Sequence, residues 1–269
     1  MRINYFERGD KVRILAIESA SLVASAAILD GDVIKAEYTA CNGLTHSQTL
    51  LPMIDEVVKT SGLKLEDIDA IAISAGPGSF TGLRIGAATA KGLGLALDKP
   101  LVAVPTLAAT AYNIFGTDKL ICPIMDARRS QVYNGLYCFV RSAESDISTP
   151  AEYTHEESKT DIQTYEFKTL IDSRALGIDE LIDELRETKT EIIFLGDGVP
   201  VYKDTIEKEL GNQVSFAPAN NNRQRAASVA LLGAEMFARG ETISSDDFAP
   251  EYLRKSQAER ELESRDNTT

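Results

Sequence analysis

Three carboxylates stand where strand-like segments end. Glu18 closes "RILAIE", Asp126 closes "KLICPIMD" with Arg128 and Arg129 beside it, and Asp197 sits in the Gly-Asp-Gly turn after "EIIFL". In α/β proteins, ligands collect at the carboxyl ends of strands, so an acid there could hold a metal-bound nucleotide. A strand-end carboxylate facing water or a loop amide is the competing interpretation. Nearby, Gly76-Pro77-Gly78-Ser79 runs into a helix-like segment. Amides at a helix N-terminus attract anions. Glu18, Gly76, Gly78, Ser79 and Arg128 are therefore the candidate nucleotide or anion contacts. The loop nevertheless fails G-x-G-x-x-G, because Thr81 stands where the third Gly belongs, and it lacks the G-K-[ST] of a P-loop.

Other chemistries find little material. The chain has two histidines, His46 and His155, far apart and without H-x-x-x-H or H-E-x-x-H spacing. A helix-borne metal pair is excluded, and no metal ligand is assigned. There is no G-x-S-x-G elbow, and a Ser-His-Asp triad has almost nothing to draw on for its base. No catalytic residue is assigned. The three strand-end acids echo the places where two-lobed, kinase-like ATPases put their phosphate loops, but a complete catalytic set is missing.

The elements that position these residues follow a mixed order. "RILAIESA", "SLVASAAILDG" and "DVIKAEYTA" read as three strands, with Asp30-Gly31 as a hairpin signal. "THSQTLLPMIDEVVKTSG" is a helix with Leu50, Ile54, Val57 and Val58 on one face and Leu51 and Met53 widening it. Strand, glycine-rich helix and strand follow, which is not the strict alternation of a dinucleotide-binding fold. The second half repeats the theme loosely: a strand pair around a polar turn, then helix, strand and helix. A twofold repeat is a weak signal. The acidic stretch from Ser142 to Lys168 reads as mobile surface. "RAASVALLGAEMFARG" is the last helix, and the polar tail is expected to fray after Ser264 and to order beyond Pro250 when a complex forms.

The glycines after the loop pose a separate question. Gly82, Gly86, Gly92 and Gly94 lie inside the helix, and each costs roughly 1 kcal/mol against Ala. Gly82, Gly86, Ala90 and Gly94 recur every four residues, making a ridge of nearly bare backbone that would let another helix approach closely. Three explanations stand: a phosphate cradle, a closely packed core helix, or a partner-facing helical pair. The third assigns a partner interface to Leu50, Leu51, Ile54, Val58, Gly82, Leu83, Gly86, Ala90 and Gly94.

The bulk numbers narrow the class. The 269 residues are 43% hydrophobic and 26% charged, with a formal net charge of −13. That charge argues against autonomous nucleic-acid binding, which normally uses a basic footprint. Cys41, Cys122 and Cys138 are odd in number and unpaired in spacing, as in a reducing compartment. No signal peptide or membrane span is read, so a cytoplasmic location is expected.

"GPGSFTGLRIGAATAKGLGLAL" resembles the signature of the TsaB (YeaZ) family, subunits of the bacterial tRNA threonylcarbamoyladenosine machinery. "ILAIESA", "THSQTLLPMID", "MDARRSQVYNGLY", "LGDGV" and "PEYLR" follow that family's pattern, covering Arg13 to Arg254. Glu18 departs from it, since family members commonly carry Asp there. The resemblance implies an α/β, two-lobed actin/sugar-kinase-like (ASKHA) fold of mixed sheets flanked by helices. The expected organisation is an N-terminal lobe over 1–105 that takes back a helix at about 224–240, a second lobe over 106–223, and a tail over 241–269. The implied role is a non-catalytic scaffold or activator for the catalytic paralogue TsaD, joined by the TsaE ATPase. ATP and a metal would belong to the complex, the metal in TsaD, with no cofactor bound by this chain alone. The implied TsaD contact uses the first two helices, and a similar surface would support homodimers when TsaD is absent; tRNA would be met only through the complex. A self-sufficient kinase-like ATPase, or a peptidase of the wider family, is the alternative.

Overall fold

The computed structural model describes residues 11–142 and 164–254. His155, the N-terminal ten residues and the tail beyond Arg254 lie outside the described residues.

Apolar runs buried on both faces build the first lobe. β1 (Arg13–Glu18), β2 (Ala24–Asp30) and β3 (Val33–Ala40) form an antiparallel meander. The turn at Gly31 has φ +65°, the left-handed conformation that the Asp-Gly pair predicts. α1 (His46–Ser61) then crosses to β4 (Ala70–Gly76), and α2 (Phe80–Leu97) leads to β5 (Leu101–Pro105); β4 runs parallel to β1 and β5 parallel to β4. The sheet order is β3-β2-β1-β4-β5. Successive strand residues face opposite sides. Leu15, Ile17, Ile71 and Ile73 pack under α1 and α2, whereas Ile14, Ala16, Ala70 and Ala72 face the other way.

The second lobe repeats that plan. α3 (Thr106–Ala111) leads to β6 (Leu120–Arg128), β7 (Gln131–Ser142) and β8 (Thr164–Gly177), an antiparallel set. α4 (Ile178–Thr188), β9 (Ile192–Leu195), α5 (Val199–Leu210) and β10 (Val214–Phe216) complete it, with β9 and β10 parallel to β6. Read from β8, the order β8-β7-β6-β9-β10 matches β3-β2-β1-β4-β5 strand for strand. The duplicated sheet is the two-lobed actin/sugar-kinase-like arrangement, clearer in strand order than in the sequence signal. The expectation of mobile surface up to Lys168 is corrected at its end, because β8 begins at Thr164; residues 143–163 lie outside the described residues.

α6 (Ala226–Ala238) returns to the first lobe and packs on β1, β2, β4 and β5. With α3 it fills the space between the sheets, joining Val104, Leu107 and Val229 to Ile121, Met125 and Tyr137 in one core. Gly233 makes this possible: a Cβ there would press on Ala72 at 2.6 Å. No described helix is long and apolar enough to cross a membrane.

Candidate functional site

The candidate site is the cleft between the two lobes, a cavity of about 440 Å³. Its walls come from the β1–β2 connection (Ala20, Ser21), the glycine loop (Gly78, Ser79, Phe80), the β6–β7 turn (Asp126, Arg128), the β9–α5 turn (Asp197), and Glu251 to Arg254.

The glycine loop is committed to its own chain. The Gly76 amide donates to Thr106 Oγ1 at 3.1 Å, and the Ser79 amide donates to the Ala20 carbonyl at 2.6 Å. Ser79 Oγ caps α2 by accepting from the Gly82 amide at 3.3 Å. A Cβ at Gly78 would overlap the Ala20 carbonyl, and one at Gly76 would overlap the Glu251 carbonyl. The Glu251 amide in turn donates to the Ala75 carbonyl at 2.7 Å. Polypeptide therefore packs directly against the Cα atoms of Gly76 and Gly78. The Gly76 and Ser79 amides are thus engaged within the chain, while Gly78 and Ser79 still line the cavity.

Glu18 is also turned inward. It is 1% exposed, with Oε1 accepting from the Ala20 amide at 2.6 Å and Oε2 buried without a hydrogen-bond partner among the described residues. Burial pushes its carboxyl up to about 7, against the opposing effect of the Ala20 amide and Ser74; the charge of Asp197 adds to the rise. Asp197 is pushed up to about 6, again chiefly by burial, with Arg223 opposing. Asp126 is satisfied, its Oδ1 accepting from the Arg128 amide at 2.9 Å and from the Tyr202 hydroxyl at 3.3 Å. The structure thus brings the three strand-end acids to one cleft, but Glu18 does not line its surface. Arg128 does, with its side chain 86% exposed. Among the described residues, no group of three or more His, Cys, Asp or Glu side chains is placed to hold a metal ion.

The small-residue ridge faces inward, which corrects most of the expected interface. Gly82, Leu83, Gly86, Ala90 and Gly94 are buried. Added Cβ atoms would overlap the Ser19 carbonyl at Gly82, Ser19 Oγ at Gly86 and Ser245 Oγ at Gly94. The glycines let α2 lie against the β1–β2 connection and residue 245, and that contact within the chain offsets their helix cost. Leu50 and Ile54 are likewise buried under α1, and Val58 is half-buried. Leu51 is the expected contact that remains exposed, at 56%. The outer face of α2 instead shows Ala88, Gly92 and Leu95, the last 60% exposed, with Ile85 half-buried beside them. Spacing alone missed these residues; Ala88, Gly92 and Ala96 also recur every four positions, so the sequence carried two ridges.

Sequence reading also missed the strap formed by the segment after α6. Ile243 pairs with Leu101, Phe248 is buried against the α1–α2 core, and Lys91 Nζ donates to the Asp246 and Phe248 carbonyls, both at 3.1 Å. Tyr252 then meets Phe80 with ring centroids 4.8 Å apart, and Arg254 donates to the Ala127 carbonyl in the second lobe. Residues 251 to 254 are therefore already held by the chain itself, where ordering on complex formation was expected.

Three comparisons bear on this geometry. The family model described as TsaD, tRNA N6-adenosine threonylcarbamoyltransferase, matches residues 42–262. The tRNA threonylcarbamoyladenosine biosynthesis protein TsaB of Bacillus subtilis (strain 168) is 30% identical, over 91% of this chain and 96% of the relative. TsaB of Escherichia coli (strain K12) is 30% identical over 93% of this chain and 98% of that one. The solved structure of YeaZ from Pseudomonas aeruginosa shares the fold, with a TM-score of 0.66 at 22% identity, covering 90% of this chain and 100% of that chain.

Proposed function

Because this chain belongs to the TsaB family of tRNA threonylcarbamoyladenosine biosynthesis proteins, we propose that it is a non-catalytic scaffold that pairs with a TsaD paralogue. In this reading TsaD performs the threonylcarbamoyl transfer to the adenosine beside the anticodon and holds the metal. The TsaE ATPase joins the pair, tRNA is met through the assembly in the cytoplasm, and the chain binds no cofactor alone.

The observation that carries the reading is the commitment of the glycine loop to its own chain. A phosphate loop offers its amides to the ligand, whereas here the Gly76 and Ser79 amides are bonded to Thr106 and Ala20. What α1 and α2 leave free is an outer face bearing Leu51, Ala88, Gly92 and Leu95. Bare backbone at Ala88 and Gly92 admits a partner helix closely, with the two leucines flanking it. The same face would serve a homodimer when TsaD is absent.

The test is a Leu51→Glu, Leu95→Glu double variant titrated against TsaD by calorimetry. Both side chains are exposed, so the isolated fold should melt within a few degrees of the parent. Affinity for TsaD should fall at least about tenfold, since the leucines would anchor the contact. Unchanged affinity would remove α1 and α2 as the docking face.

A further inference from the structure

In a chain of net charge −13, an unpaired arginine is informative. Outside the cleft, every described arginine holds a carboxylate: Arg13 with Asp30, Arg141 with Asp118, Arg174 with Glu184, Arg186 with Asp183, Arg225 with Glu37, and Arg239 with Glu241. Around the cleft the pattern breaks. Arg84, Arg129, Arg223 and Arg254 have no ion-pair partner among the described residues, and Arg128 has only Asp126 at 3.4 Å. Arg223 lies low, its charge felt by Asp197. Arg128 and Arg254 line the cleft, Arg129 follows Arg128 on the β6–β7 turn, and Arg84 sits over Phe80 of the cleft wall.

Aromatic planes alternate with these guanidiniums. Arg84 stacks on Phe80 with its guanidinium carbon 3.9 Å from the ring centroid, Phe80 meets Tyr252, and Tyr133 lines the cavity from the second lobe. We propose that this arginine and aromatic rim contacts a single-stranded stretch of RNA in the assembled complex, guanidiniums on phosphates and the exposed Tyr252 face under a base. The proposal rests on the tRNA-modification reading above.

Three features favour an RNA strand over other anions. A mononucleotide would seat its phosphates deep in the cleft, where the Gly76 and Ser79 amides are taken and Asp126 and Asp197 carry carboxyl groups. The positive groups lie instead at the mouth, spread over the start of α2, the β6–β7 turn and the C-terminal strap. An acidic peptide would use the guanidiniums but not the ring faces, whereas alternating cations and rings match alternating phosphates and bases. The cleft is thus a rim for a strand, with its own polypeptide filling the floor.

Arg128 and Arg129 supply the test because they lie on the β6–β7 turn, away from α1 and α2. Both have positive φ, 66° and 58°, and an Arg-to-Ala change retains the Cβ and so the turn's geometry. An Arg128→Ala, Arg129→Ala variant is assembled with TsaD and TsaE and assayed on a transcribed tRNA across a salt series. The KM for tRNA should rise about tenfold with kcat within twofold, and the slope of log KM on log salt should fall by about 1.4 for two single-strand phosphate contacts. The Arg128→Lys, Arg129→Lys variant should keep the parent slope, because it keeps the charge. A parent-like KM and slope in an intact complex would overturn the rim while leaving the scaffold reading in place. Loss of assembly in the alanine variant alone would make the rim a protein contact and overturn it too. If the parent chain itself does not assemble with TsaD, the scaffold reading fails and the rim falls with it.

Discussion

Glu18 ends β1 with one oxygen on the Ala20 amide and the other buried without a hydrogen-bond partner among the described residues. A carboxyl that burial pushes from 4.5 up to about 7 binds its proton more tightly in the folded chain than in the unfolded one. Its stabilising contribution is full below the unfolded value and is lost as pH rises through about 7. Asp197, raised from 3.8 to about 6, adds to the same trend over a slightly lower window. Glu18→Gln keeps an oxygen for the Ala20 amide and removes the charge. Relative to the parent it should gain up to about 3 kcal/mol at pH 8, and that gain should shrink towards zero near pH 4.5. Urea titrations of both proteins across that range measure the difference directly; a gap independent of pH would show that Glu18 is not the titrating group.

At the scale of the element, α2 carries two small-residue ridges with opposite fates, and paired substitutions separate them. At Gly86 a Cβ would overlap Ser19 Oγ, which is fixed by donating to the Gly82 carbonyl at 3.0 Å, and would press on Ile73 at 3.1 Å. Gly86→Ala should therefore lose about 1–3 kcal/mol from overpacking despite its better helix propensity. At Gly92 an added Cβ would meet nothing within 4 Å among the described residues beyond its own helix, so Gly92→Ala should gain about 0.5–1 kcal/mol. Chemical denaturation decides both, and equal effects at the two sites would contradict the packing of α2. This helix also marks what the sequence could tell. Glycine spacing revealed that a close approach existed, and the apolar runs in "RILAIE" and "AIAISAG" located the buried strands. Neither specified whether the approaching chain was a partner or Ser19 and Ser245 of the same molecule, because that depends on contacts between residues far apart in sequence. β8 was obscured for a related reason: it is a sheet edge, and its side chains from Tyr165 to Leu170 are exposed or half-buried, so they carry no apolar run.

Across the whole molecule, the two lobes share the α3–α6 core and are tied a second time by the segment after α6. Phe248 anchors that segment at 3% exposure, the Glu251 amide bonds to the end of β4, and Arg254 reaches Ala127 at the end of β6. Removing the anchor should loosen everything beyond it. Phe248→Ala leaves a cavity in the α1–α2 core and should cost about 3–5 kcal/mol if the site does not collapse. Amide exchange at Glu251 should accelerate by more than global destabilisation explains, because the hydrogen bond to Ala75 depends on the strap being seated. The β6–β7 pairing should slow or quicken only with global stability, since its ladder is internal to the second lobe. Exchange rates measured at several denaturant concentrations separate local opening from global unfolding. If Glu251 and β7 respond equally, the strap is an integral part of one cooperative unit; a selective response at Glu251 makes it a separable latch across the cleft, on which the aromatic and guanidinium groups of Tyr252 and Arg254 depend for their positions.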